Sequence, residues 1–556
     1  MIDFNDILLR QFRIDLIERD KNPHLSFLKL KYNYDYSDIC YIIDNLGDKN
    51  KTFTDHIYGC SLPSSISELG DSNVLYGDAS DAFEKEVNWS LLAIRKFSDK
   101  IQIFVDKKEE YEKALIIGDY AQANTILDDI ERDVCFSLWG IEQRFILIEI
   151  EKGLKENTKF LNDINEQNKK WFIKRFSHFF SLKAEKELSV NQYNISLARL
   201  LFRYIESKNQ VDLHYYNFKL NFLEVEQQTL HPDFLAIEGY HSIIDKYITL
   251  VRILQLAVLE NDKDKKAFLD SRIYYLSKKV NDFNIDKLRL LIDTNFDFEY
   301  IAREQDINSL RALDYYTNGE YEKVEELLKK MLIQNPLSIE LYEVYLKSIV
   351  LQEKEFSPIG QDGNSFQNRI LKSLYGILLR NESMPECLNE IRKIAFNISS
   401  IFSLSFYLMN FYKEEVEGKN IFKQQSVLNT KFLNPSLIKL LSDSCRNKNL
   451  SFEFINSSSL AYLFQQQNGT TQTIEASNLP ENRKRILNAF LYQKNKKYDE
   501  AIHLWEEMLN EASLKNFQRE KVLQNLFKCY EELSQFDKCI DLYVDNYFDN
   551  PLLVSN

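Results

Sequence analysis

Residues 489–508 read AFLYQKNKKYDEAIHLWEEM, and their spacing decides the fold. Tyr498 is followed at +3 by the small Ala501, at +7 by Trp505 and at +10 by Met508, and Tyr492 stands six residues upstream. Positions +3, +7 and +10 share one face of an α-helix. The stretch therefore predicts one helix, a tight turn, and a second helix opened by Tyr498. A small residue at +3 lets the two helices approach closely, and the large residues after it bury against the next element.

The same spacing recurs along the chain. Gly118-Asp119-Tyr120 precedes Ala123, Leu127 and Ile130, and Gly319-Glu320-Tyr321 precedes Val324, Leu328 and Met331. Gln535-Phe536 precedes Cys539 and Tyr543. The upstream position is held by Ala114, Tyr315 and Tyr530. Gly118 and Gly319 supply the backbone freedom that a tight turn needs. A helical hairpin cannot bury both its faces alone, so such units stack.

This pattern resembles the tetratricopeptide repeat. The match is best over Gln305–Pro336, then over Asn482–Glu511 and Glu520–Pro551, with Ala312 and Ala489 at the small-residue site of the first helix. The last two aromatics, Tyr498 and Phe536, lie 536 − 498 = 38 residues apart, so their connecting turn is longer than the family period of about 34 allows. The longer gaps, Tyr120 to Tyr321 and Tyr321 to Tyr498, each have room for about five or six hairpins without a readable motif. The expected fold is all-α: a helical-repeat, tetratricopeptide-like superhelical solenoid with a small irregular N-terminal region. The expected organisation is an N-terminal cap over 1–80 and a solenoid over 81–355, with repeat-like units near 104–131 and 305–336. A helical middle region over 356–481 and C-terminal hairpins over 482–556 complete it.

Composition agrees with long helices. Gly is 14 and Pro 9 of 556 residues, against average usage of about 7% and 5%. That shortage of turn formers disfavours sandwiches, barrels and Gly-rich nucleotide folds. Hydrophobic residues at 44% are enough for an extended core. The net charge of −14 disfavours general nucleic-acid binding, which depends on neutralising phosphates. The seven cysteines, Cys40, Cys60, Cys135, Cys387, Cys445, Cys529 and Cys539, form no C-x-x-C pair. That pattern fits a reduced cytoplasmic protein better than a disulfide framework or a zinc site. The stretch Met1–Arg19, with Asp3, Asp6, Asp15 and Glu18, lacks the basic start and continuous apolar run expected of a signal peptide. Ile394–Tyr412 lacks charge but carries four serines and two asparagines, so it reads as a buried helix rather than a membrane span.

Two segments depart from the helical pattern. Leu28–Tyr36 alternates apolar and polar residues and predicts a strand. Gly47, Gly59, Gly70 and Gly77 mark loop, at no phosphate-cradling spacing. Glu355–Gln367 and Gln465–Asn482 predict boundary loops, and Ala236–Glu260 predicts one uninterrupted helix.

Catalytic motifs are absent: no G-x-x-x-x-G-K-[ST], G-x-G-x-x-G, H-E-x-x-H or G-x-S-x-G occurs. No cofactor, metal or catalytic residue is assigned. His241 and Asp245, four apart with Glu238 just upstream, could form a metal or acid–base cluster; the simpler expectation is a hydrogen-bonded surface pair. Asn168–Phe180, NKKWFIKRFSHFF, interleaves Lys169, Lys170, Lys174 and Arg175 with aromatics. Its phenylalanines fall on one helical stripe, as a buried face does.

The resemblance implies a concave groove lined by first-helix residues. At those positions stand Asp306, Ser309, Leu313 and Tyr316; then Arg483, Ile486, Phe490, Gln493 and Lys494; then Lys521, Gln524, Lys528 and Glu531. Arg483, Ile486, Phe490, Lys494, Lys521 and Lys528 form the expected partner-binding set, cations around two apolar residues. They suit an acidic–hydrophobic segment of a protein, or are solvated helix faces. Ile486 and Phe490 stand where the carboxylate clamp of some family members needs Lys and Asn, so a chaperone tail is not the expected ligand. The expected function is a non-enzymatic protein-binding scaffold or regulatory subunit, with no membrane association. The abundance of Lys, Asn and Ile is common in AT-rich bacterial or mobile-element genes, and large degenerate helical-repeat proteins of that kind resemble sensor or regulatory subunits of bacterial defence or toxin-control systems whose effector is a separate chain. The alternatives are an enzyme with a site in residues 1–80 regulated by the solenoid, and an RNA-binding solenoid using residues 168–180.

Overall fold

The computed structural model describes residues 30–46, 61–70, 83–205, 210–220, 233–238, 241–260, 263–282, 320–360, 362–378, 384–398, 481–510 and 516–546, with short pieces at 58, 284–285, 288–289, 308, 311–312 and 315–316. Among the described residues the regular structure is entirely helical. The elements are α1 (Tyr36–Leu46), α2 (Phe83–Lys96), α3 (Ser98–Ile117), α4 (Tyr120–Asp133), α5 (Leu138–Lys152), α6 (Leu154–Gln167), α7 (Trp171–Ala184), α8 (Val190–Ile205), α9 (Gln210–Leu220) and α10 (Asp233–Glu238). They continue with α11 (Ile243–Glu260), α12 (Lys263–Lys279), α13 (Tyr321–Gln334), α14 (Glu340–Leu351), α15 (Phe366–Leu378), α16 (Met384–Asn397), α17 (Glu481–Lys494), α18 (Tyr498–Leu509), α19 (Asn516–Glu532) and α20 (Phe536–Asn546). A 3-10 turn covers Ile66–Glu68.

The recurring motif has one physical cause. In every instance the amide just before the aromatic donates to the carbonyl of the upstream residue singled out above: Asp119 to Ala114 at 2.9 Å, Glu320 to Tyr315 at 2.9 Å, Lys497 to Tyr492 at 2.9 Å and Gln535 to Tyr530 at 2.8 Å. This is the six-to-one bond of a Schellman turn, which needs a left-handed residue just before the donor. Gly118 (φ 87°), Lys496 (φ 58°) and Ser534 (φ 56°) take that conformation. Asp119 then caps α4 by accepting the Gln122 amide at 3.0 Å. The small +3 residues Ala123, Val324, Ala501 and Cys539 are all buried, as are Leu127, Leu328 and Trp505 at +7.

The chain divides into two compact units. Unit 1 comprises Met1–Asp293, Leu332–Ile339 and Phe356–Phe422; unit 2 comprises Thr294–Met331, Glu340–Glu355 and Lys423–Asn556. Within unit 1, α3, α4 and α5 pack in sequence, α5, α6 and α7 form a group, and α7–α9 continue from it. Packing there is not confined to neighbours, because α2, α3, α5, α10 and α12 all lie against α11. The sequence of α11 explains its place: Ile243, Ile244, Tyr247, Leu250, Ile253, Leu254 and Ala257 form a wide apolar face and are all buried, and Leu256, Asp245 and Thr249 on other sides of the helix are buried too, as befits a core helix. α15 and α16 pair with each other, and the predicted Glu355–Gln367 loop precedes them. In unit 2, α17 packs on α18, α18 on α19 and α19 on α20.

Two expectations fail. Residues 30–33 are a helical turn and α1 begins at Tyr36, so no strand forms over the described part of 28–36. The alternation misled because Lys31 does not face water; it is 3% exposed, beside the buried Leu30, and its Nζ lies 2.8 Å from the Glu86 carboxylate. The single helix expected over 236–260 is two, α10 and α11, separated at His241–Ser242. Ser242 ends the run by capping α11: its Oγ accepts the Asp245 amide at 3.1 Å, the arrangement a Ser-x-x-acid sequence favours. Of the Ile394–Tyr412 stretch, Ile394–Ile398 is described, and its Ile394, Ala395, Phe396 and Ile398 are buried. The second predicted loop lies outside the described residues up to Pro480, and Asn482 already belongs to α17.

Candidate functional site

The C-terminal hairpins are built on one core of Ala489, Ala501, Ile502, Trp505, Met508, Val522, Leu526, Cys529, Tyr530 and Cys539. Ala489 and Ala501, both fully buried, lie where two helices must approach closely. The first helices of the two hairpins, α17 and α19, are bridged by Gln493, whose Nε2 donates to the Asn525 carbonyl at 3.2 Å and to Cys529 Sγ at 2.8 Å. Tyr530 donates its hydroxyl to Glu506, tying α19 to α18. Burial pushes the Cys529 thiol up, which keeps it protonated.

The six expected partner-binding residues fall into distinct surroundings. Ile486 and Phe490 are half-buried and pack against this core, and the Phe490 ring meets the edge of Trp505 with centroids 5.0 Å apart. Phe490 therefore has a packing role in addition to any contact it offers a partner. Lys528 is exposed on α19. Arg483, Lys494 and Lys521 lie on α17 and α19, and their side chains are outside the described ones.

His241 and Asp245 are buried and do not form the expected surface pair. His241 is 3% exposed and its ring stacks on Phe172, with centroids 4.8 Å apart and planes 24° apart. Nε2 has no hydrogen-bond partner among the described residues. Burial pushes its pKa down to about 4, so it is neutral at pH 7. Asp245 turns away from it. Its carboxylate accepts the Leu138 amide at 2.9 Å, the Trp139 amide at 3.1 Å and the Ser242 hydroxyl at 2.6 Å. Glu238 accepts from Tyr215 at 2.7 Å and Thr249 at 2.9 Å, with Lys219 Nζ at 3.2 Å. Burial alone would favour the neutral acid, but the Lys219 charge and these donors hold Glu238 below its ordinary range. Lys246 donates to the Tyr58 carbonyl and, at 2.7 Å, to Ser61 Oγ. These bonds join α5, α9, α10 and α11 to the 58–61 segment. Among the described residues no group of three or more His, Cys, Asp or Glu side chains could hold a metal ion.

The spacing of Glu238, His241 and Asp245 marked the place, but their partners Leu138, Trp139, Tyr215 and Lys219 are too far away in the chain for any local pattern to show.

In α7, Phe176, Phe179 and Phe180 are buried as the stripe implied, whereas Trp171 is 54% exposed under Arg175, whose guanidinium lies 5.0 Å from the ring. The described parts of the N-terminal region, 30–46 and 61–70, contain helix, loop and a 3-10 turn. Among the described residues no helix is long and apolar enough to cross a membrane.

Comparison with protein-family models and with curated proteins finds no match to this chain.

Proposed function

We propose that this protein is a non-enzymatic helical-repeat scaffold or regulatory subunit that binds a protein partner through its C-terminal hairpins. The observation that carries the reading is the turn lock shared by four hairpins, together with buried small residues at +3 in each. Repeated hairpins of this kind are of the tetratricopeptide type, and stacks of them use first-helix residues to hold extended or helical segments. In α17–α20 the main packing runs from each helix to the next, as stacking requires. Gln493 bridges the first helices of the two hairpins, and Arg483, Lys494, Lys521 and Lys528 are among the cations that these two helices carry. In a chain of net charge −14, that concentration of cations draws an acidic–hydrophobic segment of the partner.

The buried polar network supports the same reading from the other side. Asp245 and Glu238 are satisfied by backbone amides, hydroxyls and a lysine, which is how polar groups behave when they hold helices together. The setting we propose is the cytoplasm of a bacterium, in a defence or toxin-control system whose effector is a separate chain. The test is recovery of the partner from the native host, followed by its titration against wild type and a Lys521→Glu/Lys528→Glu variant. A partner that binds both proteins alike would remove the C-terminal hairpins from the reading.

A further inference from the structure

The last described helix carries an apolar face that its own unit covers only in part. On α20, Cys539 and Leu542 pack into the C-terminal core. Phe536, Ile540 and Val544 are 59%, 59% and 62% exposed. Their i, i+4, i+8 spacing makes them one stripe, about 12 Å long at the rise of an α-helix. The other exposed large hydrophobics on described helices fall one to a helix, which is ordinary for a protein surface, whereas a continuous stripe is not. The stripe is bordered along its outer edge by Asp537 and Asp541, both exposed. Lys538, the one cation of this helix, lies over the Tyr530 ring at 5.2 Å, on the side away from the stripe.

We infer that this face docks an amphipathic helix of a protein partner, with an apolar stripe bordered by lysine or arginine. The inference rests on the scaffold reading and adds a second surface and a class of partner segment. α18 and α19 each have a helix packed on both sides, whereas the main packing of α20 is on α19. A helix laid along Phe536, Ile540 and Val544 continues the same side-by-side packing, ridge into groove. The aspartate border selects the charge of the newcomer. A second copy meeting this face antiparallel about a two-fold axis would set the Asp537 and Asp541 rows against each other, which disfavours self-pairing.

The experiment titrates the full chain with synthetic amphipathic peptides of about 14 residues, roughly four helical turns. Both carry a leucine–isoleucine stripe; one is bordered by lysine and the other by glutamate. The lysine-bordered peptide should bind and the glutamate-bordered one should not. Ile540→Asp with Val544→Asp should weaken binding by about tenfold or more without moving the melting temperature, since these side chains are exposed. Asp537→Lys with Asp541→Lys should reverse the preference. Absence of binding, equal binding of both peptides, or indifference to the substitutions would overturn the inference. So would a wild-type dimer that Ile540→Asp dissolves, or binding that appears only when residues 547–556 are removed. A native partner still sensitive to Lys521 and Lys528 would leave the scaffold reading intact after any of these failures; a partner indifferent to both surfaces would end both.

Discussion

The Asp245 carboxylate accepts the backbone amides of Leu138 and Trp139 at 2.9 and 3.1 Å, so the first turn of α11 caps the N-terminus of α5, which begins 107 residues earlier in the chain. Ser137 supplies the local half of that cap through the Gly140 amide at 2.9 Å. Two otherwise orphaned helix donors are thereby satisfied in a buried setting.

Asp245→Ala should therefore destabilise unit 1 by about 2–4 kcal/mol, by stranding two buried amides and the Ser242 hydroxyl. Asp245→Asn, which keeps one acceptor oxygen, should lose less. Chemical denaturation followed by circular dichroism reads both values. Equal midpoints for wild type and Asp245→Ala would show that the cap contributes nothing.

His241 predicts a pH dependence. Its pKa in the folded protein is about 4 against an ordinary 6.5. The unfolded chain therefore binds a proton that the folded one refuses, and stability falls as pH drops from about 6.5 to 4 and is level below. The loss approaches about 3 kcal/mol. Burial pushes the Asp245 carboxyl up, which acts in the opposite sense. Comparison with His241→Phe cancels that contribution and isolates the histidine. Parallel stability curves for the two proteins between pH 7 and 4 would refute the assignment.

The turns give a pair of opposite expectations. Ser534 holds a left-handed backbone at φ 56° that glycine adopts without strain, so Ser534→Gly should stabilise unit 2 by about 0.5–1 kcal/mol. Gly118→Ala should destabilise unit 1, because its φ is 87° and the added methyl would lie 2.8 Å from Asp362 Oδ2. Melting temperatures moving the same way in both variants would contradict the common turn.

Ala501 is fully buried between hairpin helices, so Ala501→Arg should cost about 3 kcal/mol or more. The exposed Glu500 should tolerate Ala with little change. Phe490→Ala should also lower the melting temperature, since Phe490 rests on Trp505. A loss of partner affinity in that variant would therefore report packing as well as contact.

The helical hairpins were legible because their signal is local. The upstream residues Ala114, Tyr315, Tyr492 and Tyr530, read only as a spacing, are the acceptors of the turn bond. Lys496 and Ser534 were not legible as left-handed residues, because neither is glycine and the turn imposes the conformation on them. The break at Ser242 was hidden by the apolar run on both sides, and the Lys31–Glu86 pair turned a helix into an apparent strand. The polar network around His241 joins segments as distant as 58–61, 138–139 and 215–249, and no local pattern announces such pairings. At the C-terminal surface the sequence supplied the positions of the cations, but not that Phe490 packs against Trp505 or that Phe536, Ile540 and Val544 stay exposed.

The most direct test of the scaffold account is calorimetric titration of the native-host partner against wild type and the Lys521→Glu/Lys528→Glu protein, with the melting temperature of each recorded alongside. The account predicts unchanged melting and an affinity reduced by about tenfold or more, because the surface that draws the acidic segment has reversed its charge. An identical affinity at identical stability would contradict it.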